Sequence, residues 1–227
     1  MQVNIQKQGA FASALVKLSP GEEFVSDAGA MYRCSTNVDI DVTTKSRGSG
    51  GFFGGLKRLL SGETFFLSTY RITDSSTGEV GLAPTHMGEI WAIEMDGSVD
   101  WMCAGGSYLG STAGLQLDTE FQGFKGFFSG EAPFFLRVSG RGTLLVAAFG
   151  RISEQNLNGD MIIDTGHVVA FEDTMEYKLS KAGSSWFQSF LAGEGIVLDF
   201  EGEGKILTQS QNLKDFGKDL GPRLPPR

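Results

Sequence analysis

The stretch Ser129-Gly130-Glu131-Ala132-Pro133-Phe134-Phe135-Leu136 decides the fold, because versions of it occur three times in the chain. Each version has a small residue, then Gly-Glu, then an apolar run. The other two are Ser61-Gly62-Glu63-Thr64-Phe65-Phe66-Leu67 and Ala192-Gly193-Glu194-Gly195-Ile196-Val197-Leu198. The Gly-Glu pairs begin 68 and then 63 residues apart. Self-similarity at a near-constant period predicts one supersecondary unit that is used three times.

A second set of similar segments precedes the Gly-Glu copies and extends the repeat. The segments beginning at Gly29, Gly106 and Gly166 align without gaps, by shifts of 77 and 60 residues, and each leads into a strand-like run. Glycine turns precede these segments, at Pro20-Gly21, Asp96-Gly97 and Asn158-Gly159. The last two turns are dipeptides typical of two-residue β-hairpins. Glycine also breaks the later apolar runs, at Gly140-Arg141-Gly142 and Gly202-Glu203-Gly204.

These patterns predict an all-β fold. The chain has 227 residues, 32 of them Gly and 18 Phe, and its many short apolar runs between glycines are typical of strands joined by turns. We predict three pseudo-repeats of short antiparallel strands packed around a pseudo-threefold axis, at about 8–79, 80–149 and 150–212. They form a single domain over 1–212, because one unit cannot bury its own apolar face. We expect 213–227 to be a surface tail, where Pro222, Pro225 and Pro226 prevent regular structure.

Charge and composition exclude some classes of protein. A net charge of −8 disfavours a nucleic-acid partner, which needs positive potential. The N-terminal residues have neither the apolar core of a signal peptide nor an arginine-rich presequence, and no apolar run approaches the roughly 18–20 residues of a membrane span. We therefore expect a cytoplasmic protein in which Cys34 and Cys103 are reduced thiols, with a disulfide as the alternative.

Five segments of the chain together resemble the motifs of a known family. They are Asp27-Ala28-Gly29-Ala30-Met31, Ser61-Gly62-Glu63, Leu117-Asp118-Thr119-Glu120-Phe121-Gln122-Gly123, Asp164-Thr165-Gly166-His167-Val168-Val169-Ala170-Phe171 and Gly193-Glu194-Gly195. The family that they resemble is that of "altered inheritance of mitochondria protein 24", in mitochondrial biogenesis. The resemblance covers about 8–212. The chain looks like a prokaryotic member of the family, and these members were long called a domain of unknown function. It implies β units like those of the tryptophan RNA-binding attenuation protein, with no established enzyme activity. A shared fold does not imply a shared function, and the net negative charge of this chain disfavours RNA binding.

Catalytic motifs are weak. Asp164-Thr165-Gly166 is similar to an aspartic-protease loop, but that chemistry needs two facing carboxylates, and the equivalent positions hold Asp27-Ala28-Gly29, without the hydroxyl, and Ala104. The alternative is a carboxylate that accepts local backbone N–H bonds. His86 and His167 have no partner at metal-ligand spacing. The sequence therefore predicts no catalytic residues, no cofactor and no enzyme activity.

The repeated loops supply the remaining site candidates. Glu63, Glu131 and Glu194 either accept backbone N–H bonds in their own loops or converge on the axis to bind a hard cation. Aromatic pairs precede each Gly-Glu, at Phe52-Phe53, Phe127-Phe128 and Trp186-Phe187. These rings either plug the β core or stay exposed beside basic residues, where they would suit a protein partner, a membrane surface or a second copy.

The sequence specifies an architecture better than an activity. We expect a non-catalytic scaffold or interaction protein that associates with itself into a homo-oligomer. The alternative is a small-molecule or ion binding module, and a hydrolase comes third.

Overall fold

The computed structural model describes residues 1–6, 10–43, 66–121, 134–181 and 196–225. Across these residues the chain forms seventeen β strands, one α helix and two 3₁₀ turns. The all-β prediction is therefore confirmed.

The strands fall into three consecutive sets, which we call units 1, 2 and 3. Unit 1 contains β2 (Ser13–Leu18), β3 (Glu23–Asp27), β4 (Met31–Cys34), β5 (Val38–Thr43), β6 (Leu67–Ile72) and β7 (Gly78–Leu82). Unit 2 contains β8 (Ile90–Asp96), β9 (Trp101–Ala104), β10 (Tyr108–Thr112), β11 (Gln116–Phe121), β12 (Phe134–Ser139) and β13 (Arg141–Ala147). Unit 3 contains β14 (Ile152–Asp164), β15 (Val168–Glu172), β16 (Glu176–Lys181) and β17 (Ile196–Gln209). A further strand, β1 (Gln2–Gln6), pairs with β2.

Three antiparallel sheets are built from these strands. The first has the order β1-β2-β7-β4, and the second has the order β5-β6-β3-β10-β13-β8. The third has the order β11-β12-β9-β15-β17-β14, with β16 also pairing with β17. Units 1 and 2 each divide their strands between two sheets. The predicted boundary between 79 and 80 falls inside β7, which pairs with β2 and β4 of unit 1.

The same pairing scheme occurs in all three units. We number the strands of each unit from one to six in chain order. In unit 1 and again in unit 2, the sixth strand pairs with the first and third, and the fifth pairs with the second and fourth. In unit 3, β14 serves as the first and second strands, and β17 serves as the fifth and sixth. The third strand of each unit shifts register at an equivalent place: between Met31 and Arg33, Tyr108 and Gly110, and Val168 and Ala170. These places are separated by the same shifts at which the sequence segments align, whereas a threefold axis stays a prediction.

The Asp96-Gly97 turn is a corner, so the predicted hairpin is wrong. The strands it joins, β8 and β9, belong to different sheets. Gly97 has a φ of 82°, but no non-glycine residue in the described ranges has a positive φ, so Asp96 cannot fill the first central position of a type I′ turn. Asp96 instead accepts a hydrogen bond from the backbone N–H of Ser98 at 2.8 Å. Gly140 makes the corresponding corner between β12 and β13.

The Asn158-Gly159 turn is also a wrong prediction, because β14 continues through it. Gly159 lies opposite Gly202 of β17, and both have a φ of 124°. Two glycines in register let both strands deform at one place without losing their pairing. Unit 3 therefore stays in one sheet, where units 1 and 2 turn a corner.

Three buried clusters form the core, one centred on each unit, and residues from neighbouring units interlock in them. Leu109 of β10 packs in the cluster of unit 1, and Val169 of β15 packs in the cluster of unit 2. In the opposite direction, Val25 of β3 packs in the cluster of unit 2, and Met102 of β9 packs in that of unit 3. The third strand of a unit thus contributes to the core of the preceding unit, and the second strand contributes to the core of the following unit.

The C-terminal segment is helical over α1 (Leu213–Leu220), so the prediction that it lacks regular structure is wrong there. Asn212 caps the helix, accepting hydrogen bonds from the backbone N–H groups of Lys214 and Asp215. The ring of Phe216 packs edge-on against Phe149, with centroids 5.2 Å apart. The prolines do not interrupt α1, because Pro222 lies beyond its last residue.

Candidate functional site

All the predicted site residues lie outside the described part of the chain. They are Glu63, Glu131, Glu194, Phe52, Phe53, Phe127, Phe128, Trp186 and Phe187. The segments that carry them connect β5 to β6, β11 to β12, and β16 to β17. They thus join the fourth strand to the fifth in every unit, and the roles proposed for them stay predictions.

The units are joined by pairing the second strand of one with the third strand of the next. At the junction of units 1 and 2, β3 pairs with β10, so that Ser26 lies opposite Gly110 and Val25 lies opposite Ser111. At the junction of units 2 and 3, β9 pairs with β15 in the equivalent register: Cys103 opposite Ala170 and Met102 opposite Phe171. The two junctions are therefore built alike.

The strands that would make a third junction are both unpaired on that side, within the described residues. They are β4, the third strand of unit 1, and the C-terminal half of β14, which acts as the second strand of unit 3. The strand β4 lies at the end of the first sheet, and β14 lies at the end of the third. Each strand has one ladder of neighbours and one open edge of backbone N–H and C=O groups.

Apolar side chains at the open edges are exposed where their equivalents are buried. On the second strands, Val25 and Met102 are 4% and 0% exposed, whereas the equivalent Ile162 is 70% exposed. On the third strands, Leu109 and Val169 are 3% and 0% exposed, whereas Tyr32 is 50% exposed. We call the patch formed by β4 and residues 160–164 of β14 the open junction.

A second type of contact joins unit 1 to unit 2 and unit 2 to unit 3, but the described residues do not make it between unit 3 and unit 1. Just before the first strand of each unit, Phe11 forms a parallel bridge with Gly88, and Gly88 forms another with Gly150. The N–H of Ala12 donates to the carbonyl of Gly88 at 3.0 Å, and the N–H of Glu89 donates to that of Gly150 at 2.9 Å. The next N–H in this series, that of Arg151, donates to the hydroxyl of Ser210 instead, at 2.9 Å. Unit 3 therefore lacks the contact with unit 1 here too.

A buried carboxylate oxygen near the open junction has no partner among the described residues. Oδ1 of Asp199, on β17 beside Ile162, is buried and accepts no hydrogen bond from them. The equivalent residue at the junction of units 2 and 3 is Arg137, whose guanidinium reaches across to Asp173 of unit 3 at 2.8 Å. Asp199 thus occupies the position from which a polar bond crosses the junction.

A cavity of about 720 Å³ lies where the turns between the second and third strands of the three units meet. Its lining includes Asp27, Ala104 and Thr165 from these turns, together with His86 and Asn212. Desolvation raises the pKa of the half-buried Asp27 carboxyl, and a hydrogen bond from the backbone N–H of Ala28 partly offsets this shift. A concavity with both polar and apolar lining and one perturbed carboxyl is the kind of place where a small molecule binds.

The protease-like carboxylate of Asp164 is held by local hydrogen bonds. Its Oδ1 accepts from the backbone N–H of Gly166 at 2.7 Å and from the side-chain amide of Asn212 at 3.3 Å. The structure thus gives Asp164 the local bonds of the alternative interpretation. His167 lies within hydrogen-bond distance of the Gln209 carbonyl, with Nδ1 at 2.8 Å.

The described residues hold no group of three or more His, Cys, Asp or Glu side chains that could bind a metal ion. Both cysteines are free thiols, Cys34 exposed and Cys103 buried. Burial raises the pKa of the Cys103 thiol to about 12, which makes it unreactive at neutral pH. The only α helix of the described chain is too short to cross a membrane.

Sequence reasoning missed Tyr32 and Ile162 as site residues. The gapless alignment places them at positions where the other units have buried apolar residues, so the sequence alone indicates burial. Only the strand pairing shows that their junction is open.

Comparisons with known proteins agree with the fold. The chain is 32% identical to an uncharacterised protein of Streptococcus pyogenes serotype M6, over 99% of this chain and 92% of that protein. It superposes with a TM-score of 0.81 on the X-ray crystal structure of a Streptococcus pyogenes protein, at 30% identity, covering 98% of this chain and 99% of the other. The model of the family described as mitochondrial biogenesis AIM24 matches residues 3–211. The chain therefore belongs to the mitochondrial biogenesis AIM24 family.

Proposed function

We propose that the protein is a cytoplasmic, non-catalytic scaffold that associates with itself through the open junction. One observation carries the proposal: Ile162 and Tyr32 are exposed, although their equivalents at both formed junctions are buried. Burying an Ile or Tyr side chain contributes roughly 1.5–3 kcal/mol, so two such side chains on an open strand edge favour association. A second copy would cover this surface and satisfy the open backbone groups.

The local hydrogen bonds of Asp164 support the non-catalytic part of the proposal. The Asp164 carboxylate accepts hydrogen bonds from Gly166 and Asn212, and the equivalent position in unit 2 is Ala104, which has no carboxyl group. An aspartic dyad needs two carboxylates close enough to share one proton.

The native mass in solution tests this function. We expect the parent protein to sediment above its chain mass of 24.4 kDa at micromolar concentration. Ile162→Lys, which places a charge on the open junction, should reduce the mass to that of one chain. Val42→Lys is the matched control, because Val42 is also an exposed apolar residue on a strand at the end of a sheet, and it should leave the mass unchanged. A parent protein that sediments as a single chain would contradict the proposal.

The cavity favours a second candidate function, the binding of a small molecule. Native mass spectrometry of freshly purified protein tests it, because a retained ligand adds mass that denaturation removes. Ala104→Trp, which fills the cavity from one turn, should abolish the added mass. Identical masses for the native and denatured protein would count against this candidate.

A further inference from the structure

The two formed junctions define how a third would be made, because both use the same register. The residue after the register shift in the third strand, Gly110 or Ala170, lies opposite Ser26 or Cys103 of the second strand. The equivalent residues at the open junction are Arg33 of β4 and Ile163 of β14. The next pair along is Cys34 opposite Ile162, and the one after it is Ser35 opposite Met161.

We propose that β4 of one copy pairs antiparallel with β14 of a second copy, with Arg33 opposite Ile163 and Cys34 opposite Ile162. This inference rests on the self-association proposed above and adds the partner strand and the register. It makes the junction between copies a continuation of the sheet that joins units within one chain. Ile162 of one copy would then enter the unit 1 core of the other, as Val25 and Met102 enter the cores of the units after them.

The partnerless oxygen of Asp199 lies beside the edge at which the second copy would pair. At the junction of units 2 and 3, Arg137 on the fifth strand bonds to Asp173, which lies two residues beyond Phe171 on the adjoining unit. In the proposed junction, Asp199 takes the place of Arg137, and Thr36 takes the place of Asp173. A buried acceptor without a donor is costly, so the partner would supply the missing bond.

Each junction joins two different edges, β4 of one copy and β14 of the other. Two copies can each give β4 to the other's β14, which closes a dimer with two junctions. Both edges of the open junction are then paired in each copy.

Disulfide trapping tests the register. Opposed residues on antiparallel strands have Cα atoms about 4.5–5.5 Å apart, within the range that a disulfide spans. Ile162→Cys should therefore crosslink with the native Cys34 on mild oxidation, giving a covalent dimer on a non-reducing gel. Adding Cys34→Ser should abolish the crosslink. Asp160→Cys is the register control, because it is also exposed on β14 but lies two residues away from the position opposite Cys34.

The outcomes separate this inference from the proposed function. Crosslinking between chains by Ile162→Cys, and much less by Asp160→Cys, is the expected result. A crosslink within one chain would overturn the inference, because the two edges would then meet inside a single molecule. An oligomeric native mass without the crosslink would overturn the register and leave self-association standing. A single-chain mass for the parent protein would overturn both.

Discussion

A matched pair of substitutions measures whether the third junction is open within a single chain. Met102 and Ile162 hold equivalent positions on the second strands of units 2 and 3, but Met102 is buried and Ile162 is exposed. Met102→Ala should lower the free energy of unfolding by about 2–5 kcal/mol, because it removes buried side-chain atoms and leaves a cavity. Ile162→Ala should lower it by less than about 1 kcal/mol, because most of that side chain already contacts water.

The assay is guanidinium unfolding followed by tryptophan fluorescence, at a protein concentration low enough to keep the chains apart. For a chain of this size, the loss expected for Met102→Ala corresponds to about 4–20 °C in Tm. At high concentration the effect of Ile162→Ala should grow, because association adds to the stability of the parent. Equal losses for the two variants in dilute solution would refute the reasoning, since Ile162 would then be buried within one chain.

Three further predictions follow from buried groups. Asp27→Asn should raise the free energy of unfolding at neutral pH and leave it unchanged at acid pH. The raised pKa of Asp27 means that the folded protein disfavours the charged carboxylate. Stability that is present at low pH is therefore lost as the pH rises through the pKa of the folded state. Iodoacetamide at pH 8 should alkylate the exposed Cys34 and spare Cys103, as mapped by peptide mass spectrometry, and rapid labelling of Cys103 would contradict its burial. Phe171→Ala should cost about 3–5 kcal/mol in chemical denaturation, because the ring makes edge-on contacts with three others at centroid distances of 4.9, 5.0 and 5.4 Å; a loss below about 1 kcal/mol would contradict that packing.

The unit plan could be predicted from the sequence because its signals are local. The segments at Gly29, Gly106 and Gly166 align without gaps, and the register shifts of the third strands are spaced in the same way. The dipeptide Asp96-Gly97 correctly indicates a change of direction. It does not indicate which strands pair, because that depends on which sheet buries the apolar face of each strand. The choice between hairpin and corner is therefore a tertiary effect.

The open junction could not be predicted, for a different reason. A sequence repeat shows that Tyr32 and Ile162 correspond to buried residues, and it thereby predicts that they are buried too. Three units joined in a row make two junctions and leave one edge at each end of the row. Exposure at the end edges arises from this arrangement and not from the composition of either strand.

Hydrogen exchange at the two open edges tests whether β4 of one copy pairs with β14 of another, because this pairing places their backbone N–H groups in new hydrogen bonds. The amides to follow are those of 32–34 on β4 and 160–163 on β14, in dilute and in concentrated protein. We expect some amides in each segment to exchange rapidly when the chains are dilute and to become protected together as the protein concentration rises. Amides that are equally protected at all concentrations, or that stay unprotected in an oligomer, would contradict it.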